Sequence, residues 1–217
     1  IIGIPLGIYQ AIRQYSFFDQ LGTIGAFMAF STPIFIIGVG LQIVLALYLE
    51  KWTGVKVFFV TGMNDPAFAS MSFFEKVVDT LQHLILPAVS IALISLAGYA
   101  RFQRASMLEV LHSDYLRTAK AKGLPRRTVI VKHALRNALI APFTVIMLQI
   151  NWLLSGVIVV EFFFAYKGFG ALILEASLNN DIALLEACAM VAVCVAVTTQ
   201  TLADIGYTFL NPRIRFS

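Results

Sequence analysis

The run from Gln20 to Leu49 contains no Asp, Glu, Lys or Arg, and neither do Thr80–Ala100, Asn137–Val160 or Ala187–Ala203. A membrane-spanning helix needs about 20 predominantly apolar residues, whereas a barrel strand needs only about 9–11 that alternate. These runs do not alternate, so they read as helices. The chain is 59% hydrophobic and 13% charged, where soluble domains are about 45–50% apolar and about 25% charged. The expectation is an all-α polytopic membrane protein forming one transmembrane domain over 1–217. Its spans are placed at 20–49, 80–104, 137–164 and 184–210. The opening run IIGIPLGIYQAIRQ is too short to span and reads as the end of a truncated span over 1–12. Pro33 is expected to kink the span that contains it, with Ser31 and Thr32 satisfying the freed carbonyls.

Metal and thiol chemistry find little support. Cys188 and Cys194 lie six apart in one apolar run, and His83, His112 and His133 are scattered without ligand spacing. Ionisable residues in the spans are few. Glu161 and Asp204 sit at the ends of apolar runs, where each is either a snorkelling end residue or part of a path or gate.

Charge in the connections sets orientation. Alternating the spans puts Arg13, the nine Lys and Arg of the 101–136 segment, and Arg213 and Arg215 on one side. Only Lys51, Lys56, Lys76 and Lys167 fall on the other. The basic side is expected to be cytoplasmic. On the opposite side lie a turn-rich segment, Glu50–Leu81, and a stretch, Ala171–Leu178, that reads as a short interfacial helix.

The basic segment has its own grammar. Ser113 or Asp114 can cap a helix start. Tyr115–Lys122 is made of good helix formers. Gly123 can take a left-handed position after the last turn, and Pro125 suits the first turn of a new helix. Val131, Leu135 and Ala138 form an i, i+4, i+7 stripe along that second helix. Tyr115, Leu116 and Ala119 leave an apolar strip on the first. This describes a knob for a partner's groove or a basic loop resting on anionic lipid. Nucleic acid is not expected, because both flanks enter the membrane at once.

The residues EVLHSDYLRTAKAKGLPRRTVIVKHALRNALIAP resemble the cytoplasmic loop of permeases in binding-protein-dependent ABC importers. The likeness is strongest to the first permease of the dipeptide and oligopeptide branch. Tyr115–Gly123 and His133–Leu139 match its YxRTAxAKGL…HALRNAL pattern. GVIVVEFFFAYKGFGALILEASLNNDIALLEA resembles a later family segment, with Lys167 and Ala183 where Pro is common. LADIGY and NPRIRFS resemble the family's ending, with Asn211 where Asp is usual. The resemblance implies the type I ABC importer permease fold, with about five spans present here and the first span and part of the second absent. It implies that 105–136 is the coupling loop. Its contact residues on the ATPase would be Ser113, Asp114, Tyr115, Leu116, Arg117, Thr118, Ala119, Lys120, Lys122 and Gly123.

The same resemblance implies partners: a second homologous permease, two ABC ATPase subunits or domains, an extracytoplasmic solute-binding protein, and the bilayer of a bacterial or archaeal plasma membrane. The chain has no G-x-x-x-x-G-K-[ST] phosphate loop, so ATP and magnesium are expected on the ATPase subunits and no catalysis in this chain. Peptides are the implied cargo, with nickel or another small solute as the alternative. An ion-coupled carrier would place charges at midspan, and an intramembrane enzyme would need paired acids or His–Glu clusters there. The span middles carry neither.

Overall fold

A computed structural model describes residues 2–210, apart from the side-chain surroundings of 151 and 154–156. Arg213, Arg215 and the NPRIRFS segment lie outside the described residues. In chain order the helices are α1 (Gly3–Ile12), α2 (Phe17–Ser31), α3 (Ile34–Leu41), α4 (Leu49–Thr53), α5 (Phe73–Leu111), α6 (Asp114–Ala121), α7 (Arg126–Thr128), α8 (Leu135–Ala138), α9 (Ile140–Gly156), α10 (Ile158–Phe163), α11 (Phe169–Leu178) and α12 (Ile182–Leu210). π-helical segments, Gln42–Tyr48 and Val129–Ala134, join α3 to α4 and α7 to α8. There is no strand among the described residues.

Four helical stretches are long and apolar enough to cross a membrane: Ile34–Thr53, Phe73–Leu111, Arg126–Ile150 and Ile182–Leu210. Only 11% of the most apolar window of Ile182–Leu210 is buried within the protein. An apolar helix with so little protein around it needs lipid as its solvent, and the chain is a multi-pass membrane protein.

The helices do not stop where the apolar runs stop. At about 1.5 Å per residue, α5 is roughly 58 Å long, well beyond a hydrocarbon core of about 30 Å. Good helix formers such as Ala, Met, Leu and Glu carry it past the expected end at 104 to Leu111. For the same reason the stretch expected to begin at 137 is already helical from Arg126. The run 20–49 is not one kinked helix. Pro33 adopts an extended conformation (ψ 138°) and caps a new helix, so α2 ends at Ser31 and α3 begins at Ile34. A prolyl ring disfavours helical geometry in the residue before it, and here that preference breaks the helix.

The chain divides into two compact units. The first comprises 1–30, 95–151 and 194–217. In it α1 packs against α5 through Gly3 and Gly7. A Cβ on Gly3 would meet Leu96 O at 2.9 Å, and one on Gly7 would overlap Ala100 O. Small residues four apart let helix backbones approach closely. The buried core here is Ala11, Met107, Leu116, Val129, Ala134 and Ala138. Gln103, fully buried, donates to Ala138 O at 3.3 Å, and Tyr207 donates to Thr144 Oγ1 at 2.7 Å. Arg136 donates to the terminal carbonyls of α12, Phe209 O and Leu210 O, at 2.8 and 3.1 Å. A cation suits a helix C-terminus, so one charge of the basic segment serves the fold.

The second unit comprises 31–94 and 152–193. Its core is Ala46, Leu86, Val160 and Phe164. Polar anchors tie the segment after α4 to the helices. Gln42 donates to Val60 O and Gly62 N–H donates to Phe164 O, both at 2.8 Å. Asp79 accepts from Asp65 N–H at 3.1 Å, and Phe59 stacks on His83 at 4.0 Å.

Candidate functional site

The basic segment folds into a short helix held between two long ones. α5 ends at Leu111, and Ser113 turns the chain with extended dihedrals (φ −70°, ψ 149°). Its carbonyl accepts from Leu116 N–H and Arg117 N–H, both at 3.2 Å. Its hydroxyl does not cap α6. It donates instead to Val110 O at 2.5 Å, closing the end of the preceding helix. The expected side-chain cap is therefore absent at Ser113, which holds the N-cap position only through its backbone.

The far end follows the glycine. Lys122 is the last residue of the turn, and Gly123 takes φ +78° while donating to Lys120 O at 3.0 Å. A Cβ on Gly123 would touch nothing within 4 Å. The requirement for glycine is thus dihedral rather than steric: only glycine enters this region without cost. Pro125 precedes the next helix as its N-cap (ψ 141°) rather than occupying its first turn.

Between these ends, Leu116 is fully buried among Met107, Val129, Ala134 and Ala138, and Ala119 packs on the same cluster. Of the expected apolar strip, Leu116 and in part Ala119 turn to the protein's own core, and Tyr115 does not. The reason is size. An eight-residue helix has one large aliphatic side chain, and burying a Leu stabilises by about 1.5–3 kcal/mol. That burial anchors the helix to its own bundle. Tyr115 is 44% exposed, and its hydroxyl accepts from Asn137 Nδ2 at 2.9 Å. Asp114, Arg117, Thr118, Lys120 and Ala121 of α6 are likewise exposed to solvent, as is Lys122 beyond its end. Arg117 lies 3.6 Å from Asp114, both well exposed.

The helix beneath is out of register with the expected stripe. Val129, Ala134 and Ala138 are buried, while Val131 is 56% exposed. The π segment Val129–Ala134 widens one turn. Residues five apart then share a face, and a 3.6-residue count misplaces the stripe.

The two acids assigned to a path or gate belong to different units. Glu161 on α10 accepts from Ala171 N–H at 2.6 Å. Ala171 is the third residue of α11, so the carboxylate caps that helix from a separate element, where negative charge is favoured. The connecting turn is tight: Tyr166 N–H donates to Glu161 O at 2.8 Å, and Ala165 has φ +48°. A Cβ on Gly168 would overlap the Glu161 carboxylate. Asp204 is half-buried and accepts from Gln200 Nε2 on its own helix at 3.2 Å. Cys188 is buried and Cys194 exposed, both as free thiols.

One ion pair was not legible. Asp19 is the only acid before Glu50 and is buried. It is held by Arg104 through two bonds of 2.6 and 2.9 Å and accepts from Tyr15 N–H at 2.8 Å. The Arg104 guanidinium keeps the Asp19 carboxyl below the usual carboxylate range. Its contribution to stability is therefore complete above the ordinary Asp pKa and fades as pH falls through the depressed value. A lone acid at the head of an apolar run was the available signal, but its partner lies 85 residues away.

These features define a helical multi-pass membrane protein that carries a short, basic-faced helix between two of its spans. The chain belongs to the family described as binding-protein-dependent transport system inner membrane components, whose model matches residues 3–216. It is 36% identical over 217 residues to the oligopeptide transport system permease protein OppB of Mycobacterium tuberculosis, covering 100% of this chain and 66% of that protein. It is 36% identical over 226 residues to the dipeptide transport system permease protein DppB of Alkalihalophilus pseudofirmus, covering 100% and 67%. It is 35% identical over 224 residues to DppB of Escherichia coli, covering 99% and 66%. The chain thus spans about two-thirds of the length of the curated relatives it matches.

Proposed function

We propose that this chain is the membrane-embedded part of a permease subunit in an ATP-driven importer of di- or oligopeptides. The cargo follows the names of the relatives. A second homologous permease completes the path, two ATPase subunits or domains bind and hydrolyse ATP with magnesium, and a solute-binding protein delivers the peptide from outside. The observation that supports this best is α6, a helix pegged by Leu116 and stopped by a left-handed Gly123 between two spans. A rigid protrusion whose own core contact is satisfied transmits displacement to the spans instead of swivelling. In this reading Arg117, Thr118, Lys120 and Lys122 meet the ATPase, and Ser113, Asp114, Tyr115, Leu116, Ala119 and Gly123 set the angle at which they do so. Glu161 orders an outer helix rather than gating the path.

The segment 101–136 and the C-terminus are cytoplasmic in this reading. A Cys at Thr128 should then resist an impermeant thiol reagent in intact cells, and one at Asn64 should react. The contact itself is tested by Thr118→Cys in the assembled complex. Oxidative cross-linking to a Cys in the ATPase surface groove is the expected result. Cross-linking to the solute-binding protein instead would overturn both contact and orientation.

A further inference from the structure

Asp204 is an acid set well inside a span without a cation. Contacts within the first unit fix its level. Arg136, just before the uncharged run Asn137–Val160, donates to Phe209 O and Leu210 O at the end of α12. Further in, a Cβ on Gly206 would overlap the Phe143 ring, Phe143 meets Tyr207 edge-on at 5.4 Å, and Tyr207 donates to Thr144. Gly206 is therefore level with Phe143, which lies six residues, or about 9 Å, inside that run. Residue numbers on α12 fall as those on α9 rise, so Asp204 lies deeper still. A carboxylate on so short a side chain cannot reach the interface from there. Among the described residues it accepts only from Gln200 on its own helix, at 3.2 Å, and no ion pair uses it. Asp19, buried in the same unit, is by contrast held by Arg104 through two bonds.

The face that carries Asp204 points away from its own protein. Thr199 and Ala203 are buried and Gly206 sits under Phe143, whereas Val197, Thr201 and Thr208, on the opposite side of α12, are exposed. Hydrocarbon offers a carboxylate no donor, and an ionisable group at membrane depth faces protein or water. The neighbours speak against a water-filled path. Val197 and Ile205 are apolar, and the hydroxyls of Thr198, Thr201 and Thr208 are spent on carbonyls of their own helix at 2.7, 2.8 and 3.0 Å. One polar pair in an otherwise apolar face is the pattern of a helix–helix contact in a membrane, where a hydrogen-bonding side chain selects its partner. Of the partners in the transport reading, only the second permease brings spans of its own. We propose that this face of α12 packs on a span of the second permease, and that an Arg or Lys of that span pairs with Asp204 as Arg104 pairs with Asp19. Gln200 donates to one carboxylate oxygen and leaves the other for the incoming cation. That such a subunit exists rests on the transport reading; which surface meets it goes beyond that reading.

The test places the photo-cross-linking residue p-benzoylphenylalanine at Thr201 in the full-length subunit, assembled with its partners in nanodiscs. Co-purification of two different permeases with the ATPase subunits, before irradiation, tests the transport reading by itself. Irradiation should then join position 201 to the second permease, and fragmentation should place the attachment within about two helical turns of an Arg or Lys. The same probe at Leu202, exposed and about 160° round the helix from Asp204, should give no such product. Asp204→Leu should weaken retention of the second permease in detergent by at least about ten-fold. Asp204→Glu should keep most of it, and Thr208→Val, on the same face without charge, should leave it unchanged. If Asp204→Leu does not assemble, the cross-link, made with the native carboxylate in place, still decides. In a complex that holds both permeases, attachment to lipid alone, to the peptide cargo, or to a segment of the second permease free of Arg and Lys each overturns the proposal, and so does undiminished retention in Asp204→Leu.

Discussion

Two of the short helices outside the long spans, α6 and α11, are held by opposite means. α6, in the first unit, is fixed by one buried leucine and by the dihedral of Gly123, and its N-cap serine spends its hydroxyl on the preceding helix. α11, in the second unit, is fixed by charge: Glu161 caps Ala171 N–H, and Gly168 makes room for the carboxylate. One helix is pegged through its side and the other tied at its end. A peg leaves the polar face free along the helix length, as a docking element requires. A tie at the N-terminus orders a helix with no need to keep a face open.

The contrast is sharpened most by the peg. Leu116→Asp forfeits the leucine's burial and puts an unpaired charge into a closed core, a loss of several kcal/mol. The subunit should fail to assemble, read as loss of the monodisperse complex in size-exclusion chromatography. A well-assembled Leu116→Asp complex would break the comparison by showing that the side chain is free to turn outward.

At the tie the expected effects are intermediate and non-additive. Gly168→Ala should cost about 1–3 kcal/mol through overpacking against the carboxylate. Glu161→Ala should cost about 1 kcal/mol through loss of the cap. In the Glu161→Ala background, Gly168→Ala should cost distinctly less, because the collision is gone. Thermal midpoints of the four proteins supply the cycle, and strict additivity would separate the glycine from the glutamate.

The smallest effect belongs to the exposed face of α6. Lys120→Ala should change stability by no more than about 0.5 kcal/mol. Its consequence should appear in association with the ATPase subunits as a shift in salt dependence, measured by titrating complex formation against ionic strength. A fall in thermal midpoint comparable to that of Glu161→Ala would mean that the lysine also supports the fold.

What the sequence disclosed follows from how local each cause is. Gly123, the short helix before it and the helix expected over Ala171–Leu178, which begins two residues earlier at Phe169, rest on residues within a turn of one another, and the chain states them openly. The direction of Leu116 depends on Met107, Val129, Ala134 and Ala138 being brought beneath it. The stripe on the following helix is displaced by a π turn that no 3.6-residue count anticipates. Glu161 reads as a lone acid at a membrane boundary until the turn at Ala165–Gly168 brings α11 back to it. The Asp19–Arg104 pair and the Arg136 cap on α12 join residues 85 and about 73 apart, beyond the reach of any local pattern. The break at Pro33 was anticipated in place but not in degree.

In the proposed function, the left-handed turn at Gly123 holds α6 at the angle that couples ATP hydrolysis to the spans. Gly123→Val places a β-branched residue at φ +78°, at a cost of about 1–3 kcal/mol, with its Cβ meeting no neighbour within 4 Å. The direct measurement is ATPase activity of the assembled complex, with and without peptide-loaded binding protein. The Gly123→Val complex should assemble and hydrolyse ATP at a basal rate but no longer be stimulated by loaded binding protein, and Gly123→Asn, which tolerates the left-handed region better, should retain part of the stimulation. Full stimulation in Gly123→Val would show that the turn does not set the coupling angle.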